Sequence, residues 1–400
     1  MASAGGRRHT NGFVIMSLDT FLQSGPFNFL WTAFWFLIVL TVLVFVHEFG
    51  HYLIARWNGV RVEVFSIGFG SELFGWWDSA GTRWKFSAIP LGGYVKMFGD
   101  SDASSGSPVA GLARLAQAER DVSFHYKRLG QRAAIVSAGP AANFVFAIAV
   151  LAILFMTYGQ PFTPAEVGQV QPGSAAEKGG IRPGDVILSI DGHVVQRFED
   201  VQQAVRLNPG VPMTIVVKRD GEEVSLHVTP MRTEMTDRFG NRYEMGLLGI
   251  GRSGMEYVKR DPGTALLQAV YETWNLSAQS LQALWQMVEG RRDTDELGGP
   301  LRIAQMSGEV ARGGVAPTLT LMALLSVSLG LINLFPVPVL DGGHLLFYAA
   351  EAVRGRPLGQ RAQEYGFRIG LALVLTLMIF ATWNDLVHLG IWSRLKGFVT

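Results

Sequence analysis

The sequence predicts a multi-pass α-helical membrane protein with about four transmembrane helices, a membrane-associated β-hairpin region and an inserted α+β domain. Of the 400 residues, 48% are hydrophobic and 17% are charged, whereas soluble proteins have about 25% charged residues. Three long stretches, 20–46, 133–165 and 313–340, contain no charged side chain. Between them lie charged, glycine-bearing segments whose alternating apolar residues are typical of strands. The net charge of +1 gives no indication of nucleic-acid binding.

Four apolar segments are long enough to cross a bilayer, which takes about 20 helical residues. We expect them over about 21–54, 134–157, a stretch ending near Leu334, and 366–384. The third should end there because Pro336 and Pro338 interrupt a helix. Residues 1–20 are polar and should form a flexible tail, while Asp385 and His388 should be interfacial residues at the end of the fourth span.

Alternating residues between the first two spans predict several short strands separated by glycines. These strands are Val62–Val64, Trp84–Phe86 and Tyr94–Met97. We expect them to be partly sunk in the membrane against the helices, where protein or water must satisfy their backbone groups. A small soluble hairpin loop is the alternative that the pattern leaves open. A Ser/Gly/Asp linker at 101–107 and a short helix around 112–119 should follow.

Residues 166–251 have soluble character, with alternation such as Thr214–Lys218. The run from Gly173 to Gly192, which includes Arg182-Pro183-Gly184-Asp185-Val186-Ile187, resembles a PDZ domain of the bacterial protease-associated kind. In that kind the strand lining the peptide groove comes last, and Gly246–Ile250 fits it. Such a domain binds an extended peptide by strand addition. A PDZ-like fold that acts only as a steric plug is the alternative.

These observations divide the chain into five segments. Thr264–Val288 places apolar residues on one helix face, but Glu272 and other polar residues interrupt it, so we expect it to lie on the membrane surface. In chain order, the segments are a tail (1–20), the first two spans with the intervening hairpin (21–162), a PDZ domain (163–253), a membrane-surface amphipathic helical segment (254–312) and the last two spans (313–400).

The motif that carries chemistry is His47-Glu48-Phe49-Gly50-His51, at the end of the first span. On a helix, His47 and His51 point from one face, as two neutral imidazoles binding one Zn²⁺ require. Glu48 lies beside them, where a carboxylate acts as a general base on water. The chain has no cysteine, so histidine and carboxylate side chains must hold any metal. Chance is the alternative, with roughly one such motif in a hundred sequences of this length.

A catalytic zinc site needs a third protein ligand and one open position. Asp341 follows the third span and has apolar sequence on both sides, where a carboxylate needs a partner. The first and third spans run in the same direction, so His47, His51 and Asp341 emerge at the same membrane level. Two alternatives remain at this point: Asp341 is a turn or helix-cap residue before two glycines, or His344 is the third ligand.

Lysine and arginine residues predict the orientation in the membrane. Nine of them lie between Arg56 and Arg128, and three more follow the third span. The positive-inside rule therefore places both loops in the cytoplasm, although Arg394 and Lys396 in the C-terminal tail oppose it. We expect both termini and the PDZ domain on the outer side and the zinc motif near the cytoplasmic side.

Taken together, the motifs resemble the site-2 protease family of intramembrane zinc metalloproteases, and within it the bacterial proteases that regulate sigma-E. The motifs are His47-Glu48-x-x-His51, Gly139-x-x-x-Asn143, the PDZ unit and Asn333-Leu334-Phe335-Pro336-Val337-Pro338-Val339-Leu340-Asp341-Gly342, in that order. The enterobacterial form carries two tandem PDZ domains, whereas this chain has length for one.

The resemblance implies zinc ligation by His47, His51 and Asp341, with Glu48 as general base. It implies that Asn143 and Asn333 bind the substrate backbone or the developing oxyanion; from the residues alone, Asn143 is equally well explained by helix packing. The loop near Gly68-Phe69-Gly70 resembles the embedded β-hairpin of the family, which would pair with an unwound substrate.

The expected activity is zinc-dependent hydrolysis of a peptide bond within or near a transmembrane helix. The family implies regulated intramembrane proteolysis of single-pass proteins, such as anti-sigma factors and remnant signal peptides, in the bacterial inner membrane. A catalytically silent membrane PDZ scaffold is the alternative, and a zinc transporter or metal sensor is a third hypothesis. The intact Glu48 opposes the scaffold, and transport should place polar groups along the spans rather than at one depth.

Overall fold

The computed structural model describes residues 25–99, 116–195, 197–236, 242–254, 256–290 and 298–388. The expected tail over 1–20 and linker over 101–107 lie outside the described residues. By contacts the chain divides into two compact units. The first unit comprises Met1–Ala142, Leu297–Met322 and Ile332–Thr400, and the second comprises Asn143–Glu296 and Ala323–Leu331.

The described residues form ten α-helices, four of which are long and apolar enough to cross a membrane. The helices are α1 (Gly25–Trp57), α2 (Gln117–Val122), α3 (Leu129–Thr157), α4 (Ala175–Lys178), α5 (Phe198–Arg206), α6 (Pro262–Val288), α7 (Pro300–Arg312), α8 (Val315–Asn333), α9 (Asp341–Arg354) and α10 (Gln360–His388). The four membrane-length helices are α1, α3, α8 and α10, as the sequence predicted.

The strands fall into a hairpin region before α3 and a second group after it. They are β1 (Val62–Trp77), β2 (Arg83–Met97), β3 (Gln160–Phe162), β4 (Val167–Val170), β5 (Val186–Ile190), β6 (His193–Val194), β7 (Met213–Arg219), β8 (Glu222–Val228), β9 (Met231–Thr236), β10 (Arg242–Leu247), β11 (Ile250–Arg252) and β12 (Glu256–Val258).

The apolar surface of α10 is that of a membrane helix. Ile369 and Ile379 are 67% and 68% exposed, and most apolar side chains along the helix are also exposed. A continuous apolar face of this kind is stable in a lipid bilayer and not in water. Together with the three other helices of membrane length, this surface indicates a multi-pass membrane protein.

The prediction of several short strands between the first two spans was wrong, because β1 and β2 are two long antiparallel strands. Gly68 and Gly70, which lie between the predicted short strands, are bends within β1, with φ of 91° and 85°. The hairpin bends back so that Val64–Ile67 pair with both Gly93–Lys96 and Arg83–Phe86. Phe65 and Val95 of the two strands are buried in a core shared with the end of α1 and the start of α3.

The second unit contains a sheet of order β6-β5-β7-β8. Along the chain, the short helix α4 precedes β5, and the short helix α5 lies between β6 and β7. β7 covers the predicted strand Thr214–Lys218, which is confirmed. The predicted single strand Gly246–Ile250 is wrong, because Gly249 has φ of 76° and separates β10 from β11. β11 then pairs with β4, and β10 pairs with β9.

The predicted surface segment 254–312 contains two helices, α6 and α7, and α7 packs on the first span. A methyl group on Gly308 would lie 2.4 Å from Thr32 Oγ1, and Trp31 Nε1 donates a hydrogen bond to the Gly308 carbonyl at 3.1 Å. Contact this close requires a residue without a side chain at 308.

Asp385, which we expect at the membrane interface, is 3% exposed and caps α7; its depth in the membrane stays a prediction. Its two carboxylate oxygens accept hydrogen bonds from the backbone N–H groups of Gly299, Leu301 and Arg302 at 2.9–3.1 Å. The first N–H groups of a helix have no partner within the helix. A carboxylate from the fourth span supplies that partner here.

Candidate metal centre

Two histidines project from one face of α1 near its C-terminal end. His47 and His51 are separated by one helical turn, and their Nε2 atoms lie 3.3 Å apart. His51 Nδ1 donates a hydrogen bond to the Ile135 carbonyl of α3 at 2.9 Å. Because a carbonyl oxygen only accepts, this contact places a hydrogen on Nδ1, so in the neutral imidazole the lone pair is on Nε2, the atom that faces His47.

Asp341, in the C-terminal segment of the first unit, lies next to the two histidines. It is the first residue of α9, after a loop that Pro336 and Pro338 keep out of helical conformation. Methyl groups on Gly342 and Gly343 would lie 2.3 Å and 2.4 Å from backbone carbonyl oxygens of that loop. The two glycines therefore allow α9 to start directly against the loop, which fixes the position of Asp341.

Three potential ligand atoms converge at this point. Asp341 Oδ2 lies 3.2 Å from His47 Nε2 and 3.5 Å from His51 Nε2. Oδ2 is buried and has no hydrogen-bond partner of acceptable geometry among the described residues. Since the His51 lone pair also points inward, the cluster concentrates acceptors rather than donors, and a cation is the partner that satisfies them.

The three separations fit zinc. Zinc–nitrogen and zinc–oxygen bonds are about 2.0–2.1 Å, so neighbouring corners of a tetrahedral site are about 3.3–3.4 Å apart. The observed separations of 3.2, 3.3 and 3.5 Å bracket this value. Two imidazoles and one carboxylate are also a ligand set that zinc accepts at catalytic sites.

A cavity of about 230 Å³ opens beside the three ligand atoms. Glu48 and Asn333 both line it, so the structure brings these two predicted site residues to the candidate metal centre. His344 lines the same cavity but does not belong to the cluster of His47, His51 and Asp341. The structure thus separates Asp341 from its competitor as a candidate ligand.

One strand of the hairpin forms a wall of this cavity. Gly93, Tyr94 and Val95 of β2 line it, and a methyl group on Gly93 would lie 3.1 Å from Glu48 Cγ. The bend at Gly68–Gly70, which the resemblance singled out, does not line the cavity.

Asn143, the remaining predicted site residue, is not among the residues that line this cavity. It is fully buried on α3, in the second unit, where its backbone carbonyl accepts a hydrogen bond from Ser326 Oγ of α8 at 2.9 Å. That contact uses the backbone and not the side chain, so substrate binding by the Asn143 amide stays a prediction.

Sequence reasoning missed how α3 and α9 hold the site. Gly139 of α3 faces both imidazoles: a methyl group there would lie 2.2 Å from His51 Nε2 and 2.9 Å from His47 Cε1. Near the N-terminal end of α3, the Arg132 guanidinium lies 2.5 Å from the Glu351 carboxylate of α9 and 5.0 Å from the centre of the Tyr348 ring. The Gly139 motif was visible in the sequence, but only the helix crossing shows its purpose.

Comparison with known proteins gives a consistent result. The model of peptidase family M50 matches residues 35–377. The chain is 51% identical over 358 residues to a protein of Agrobacterium fabrum and 50% identical over 363 residues to one of Rhizobium meliloti, both named "putative zinc metalloprotease". These matches cover 88% and 90% of this chain and 95% and 97% of the relatives.

A third relative, the metalloprotease MmpA of Caulobacter vibrioides, is 39% identical over 387 residues, which is 91% of this chain and 97% of that protein. Among solved structures, the PDZ domain of an SdrC-like protein from Listeria monocytogenes matches 23% of this chain and 88% of its own, with 17% identity and a TM-score of 0.18.

Proposed function

Because the chain belongs to peptidase family M50, and is accordingly a zinc metalloprotease of membranes, we propose that it cleaves single-pass membrane proteins within or near their transmembrane helices. The observation that carries the proposal is the meeting of His47, His51 and Asp341 beside Glu48, with both histidines on a membrane-spanning helix. A peptide bond reaching this cavity would come from a membrane-embedded or membrane-adjacent segment.

In this proposal His47, His51 and Asp341 hold the zinc ion. When bound, zinc supplies Lewis acidity that activates water and polarises the scissile carbonyl. Glu48 takes a proton from the attacking water on its carboxylate and delivers it to the nitrogen of the leaving amine. Asn333, which lines the cavity, donates a hydrogen bond from its amide to the substrate carbonyl oxygen.

A helical substrate hides its backbone in its own hydrogen bonds and must unwind before it is cut. Residues 93–95 of β2 pair with β1, and the same three residues line the cavity. Strand addition along this segment would satisfy the backbone of an unwound substrate next to Glu48. The resemblance to the site-2 protease family suggests anti-sigma factors and remnant signal peptides as substrate classes. In this proposal the PDZ unit excludes substrates that another protease has not yet trimmed.

We also propose an inner-membrane location with the PDZ unit and both termini on the outer side. Its support is the excess of lysine and arginine between the first two spans and after the third. This orientation puts the candidate metal centre near the cytoplasmic side.

The test is cleavage of a tagged single-pass substrate by the full chain in liposomes, comparing wild type with Glu48→Gln. Loss of the general base should lower the cleavage rate by about 100-fold to 10,000-fold while bound zinc stays at the wild-type amount. The matched control is Glu63→Gln on β1, whose carboxylate pairs with Lys96 at 3.2 Å and does not line the cavity. Cleavage at the wild-type rate by Glu48→Gln would refute the proposal.

A further inference from the structure

A second cavity lies in the first unit, away from the metal centre. Its volume is about 490 Å³, within the range of about 300–1,000 Å³ usual for ligand sites. Its wall contains three cationic side chains and one carboxylate, a net charge of +2, together with two glutamines and a tyrosine. The lining residues are Gln117, Arg120, Asp121, Tyr126, Lys127, Arg128 and Gln131.

The cavity lies at the level where two membrane spans begin and end. α3 starts at Leu129, directly after Arg128, and the first span ends at Trp57. Gln131 in the first turn of α3 donates a hydrogen bond to Asn58 Oδ1 at 3.2 Å, so these two helix ends lie side by side. Trp57 is 78% exposed, and exposed aromatic rings at helix ends are typical of the lipid headgroup layer.

Contacts within the wall position two of the three cationic groups. Lys127 Nζ donates to the Asp121 backbone carbonyl at 2.7 Å, and the Arg120 guanidinium lies 5.4 Å from the centre of the Tyr126 ring. The Asp121 carboxylate accepts a hydrogen bond from the Gln117 amide at 2.9 Å. The Asp121 carboxylate offsets only one of the three positive charges, so the wall keeps an excess positive charge that favours an anionic ligand.

We propose that this basic cavity, defined by Arg120, Lys127 and Arg128, binds the phosphate of an anionic phospholipid headgroup. Phosphate oxygens are strong acceptors for guanidinium and ammonium donors. A basic pocket between the ends of membrane helices is a recurring site for anionic headgroups. Free phosphate has the same acceptor chemistry, but the adjoining ends of α1 and α3 place the cavity where lipid phosphates are concentrated.

The experiment measures phosphatidylglycerol bound to the full-length protein by native mass spectrometry after titration in detergent. Each cation near a membrane surface contributes about a fivefold factor in affinity for anionic lipid. Arg120→Gln/Lys127→Gln/Arg128→Gln should therefore weaken binding by about 100-fold. Phosphatidylcholine should not bind specifically to the wild type.

The matched control is Arg354→Gln/Arg356→Gln/Arg361→Gln, which removes three exposed cations next to the fourth span and none from the cavity. This control should bind phosphatidylglycerol like the wild type. Equal loss in both triple variants would overturn the proposal, because it would mean general surface attraction. Wild-type binding by the cavity variant would overturn it directly.

Two further arms complete the test. Inorganic phosphate at millimolar concentration should not displace the lipid; displacement, with phosphate bound in its place, would show that free phosphate is the ligand and overturn the lipid assignment. The single variant Arg128→Gln changes only an exposed side chain and should weaken lipid binding about fivefold. If the triple variant fails to fold, an unchanged affinity in this single variant still refutes the proposal.

Discussion

Substitution of Gly139 by alanine isolates the contribution of the helix crossing to the metal centre. The added methyl would lie 2.2 Å from His51 Nε2, 2.6 Å from His51 Cε1 and 2.9 Å from His47 Cε1, whereas ordinary contact begins at 3.4 Å. The imidazole of His51 or the whole of α3 must therefore move by about 1 Å. Metal–ligand distances tolerate only about 0.2 Å, so the three ligand atoms can no longer meet around one ion.

We expect zinc affinity to fall by about 100-fold, at the upper end of the effect of losing an outer-shell partner. The assay is chelator competition on the purified full chain, with zinc per chain measured at equilibrium. Gly130→Ala is the matched control, since it makes the same change in the same helix at a position with no heavy atom within 4 Å. It should bind zinc like the wild type.

Overpacking also costs about 1–3 kcal/mol of stability, so the melting temperature of the zinc-free protein is measured alongside. A folded Gly139→Ala protein that binds one zinc with wild-type affinity would refute the reasoning. In that case α3 would not approach the imidazoles as closely as the structure places it.

Three further predictions concern the third ligand, a helix cap and a buried ion pair. Asp341→Ala should reduce bound zinc well below one per chain while His344→Ala retains it; the reverse result, by metal analysis, would make His344 the ligand. Asp385→Ala leaves the first turn of α7 uncapped and should cost about 1–2 kcal/mol, seen as a lower melting temperature, and an unchanged value would contradict the cap. Burial of Asp185 raises the pKa of its carboxyl, but hydrogen bonds from the Arg219 guanidinium and the Arg182 backbone N–H, together with the positive charges of both arginines, outweigh burial and hold that pKa below its usual range. Because the pKa is lowered in the folded state, the ionised Asp185 carboxylate stabilises the fold fully above the unfolded pKa of about 4, and this stabilisation is lost as the pH falls below that value. Hydrogen exchange of the β7 amides, corrected for its intrinsic pH dependence, should therefore lose protection at acid pH in the wild type. Asp185→Asn should show a much smaller loss of protection over the same pH range.

The sequence alone determined the features that depend on local pattern. Long apolar runs identified the four spans, because crossing a bilayer requires about 20 mainly apolar residues regardless of what packs around them. The four-residue spacing of His47 and His51 was enough to place both imidazoles on one helix face. Asp341 stood out because a carboxylate beside apolar sequence needs a partner.

Only the tertiary structure decided the features that depend on residues far apart in the chain. The glycines at 68 and 70 bend a long strand instead of ending it, since pairing with a distant partner continues through them. The closeness of Asp341 to the two histidines, and the contact of Gly139 with their rings, arise where α1, α3 and α9 meet. The capping role of Asp385 arises because α7, more than 80 positions away, presents its unpaired N–H groups there. Helix crossings and caps of this kind result from long-range packing, which no periodicity within one segment records.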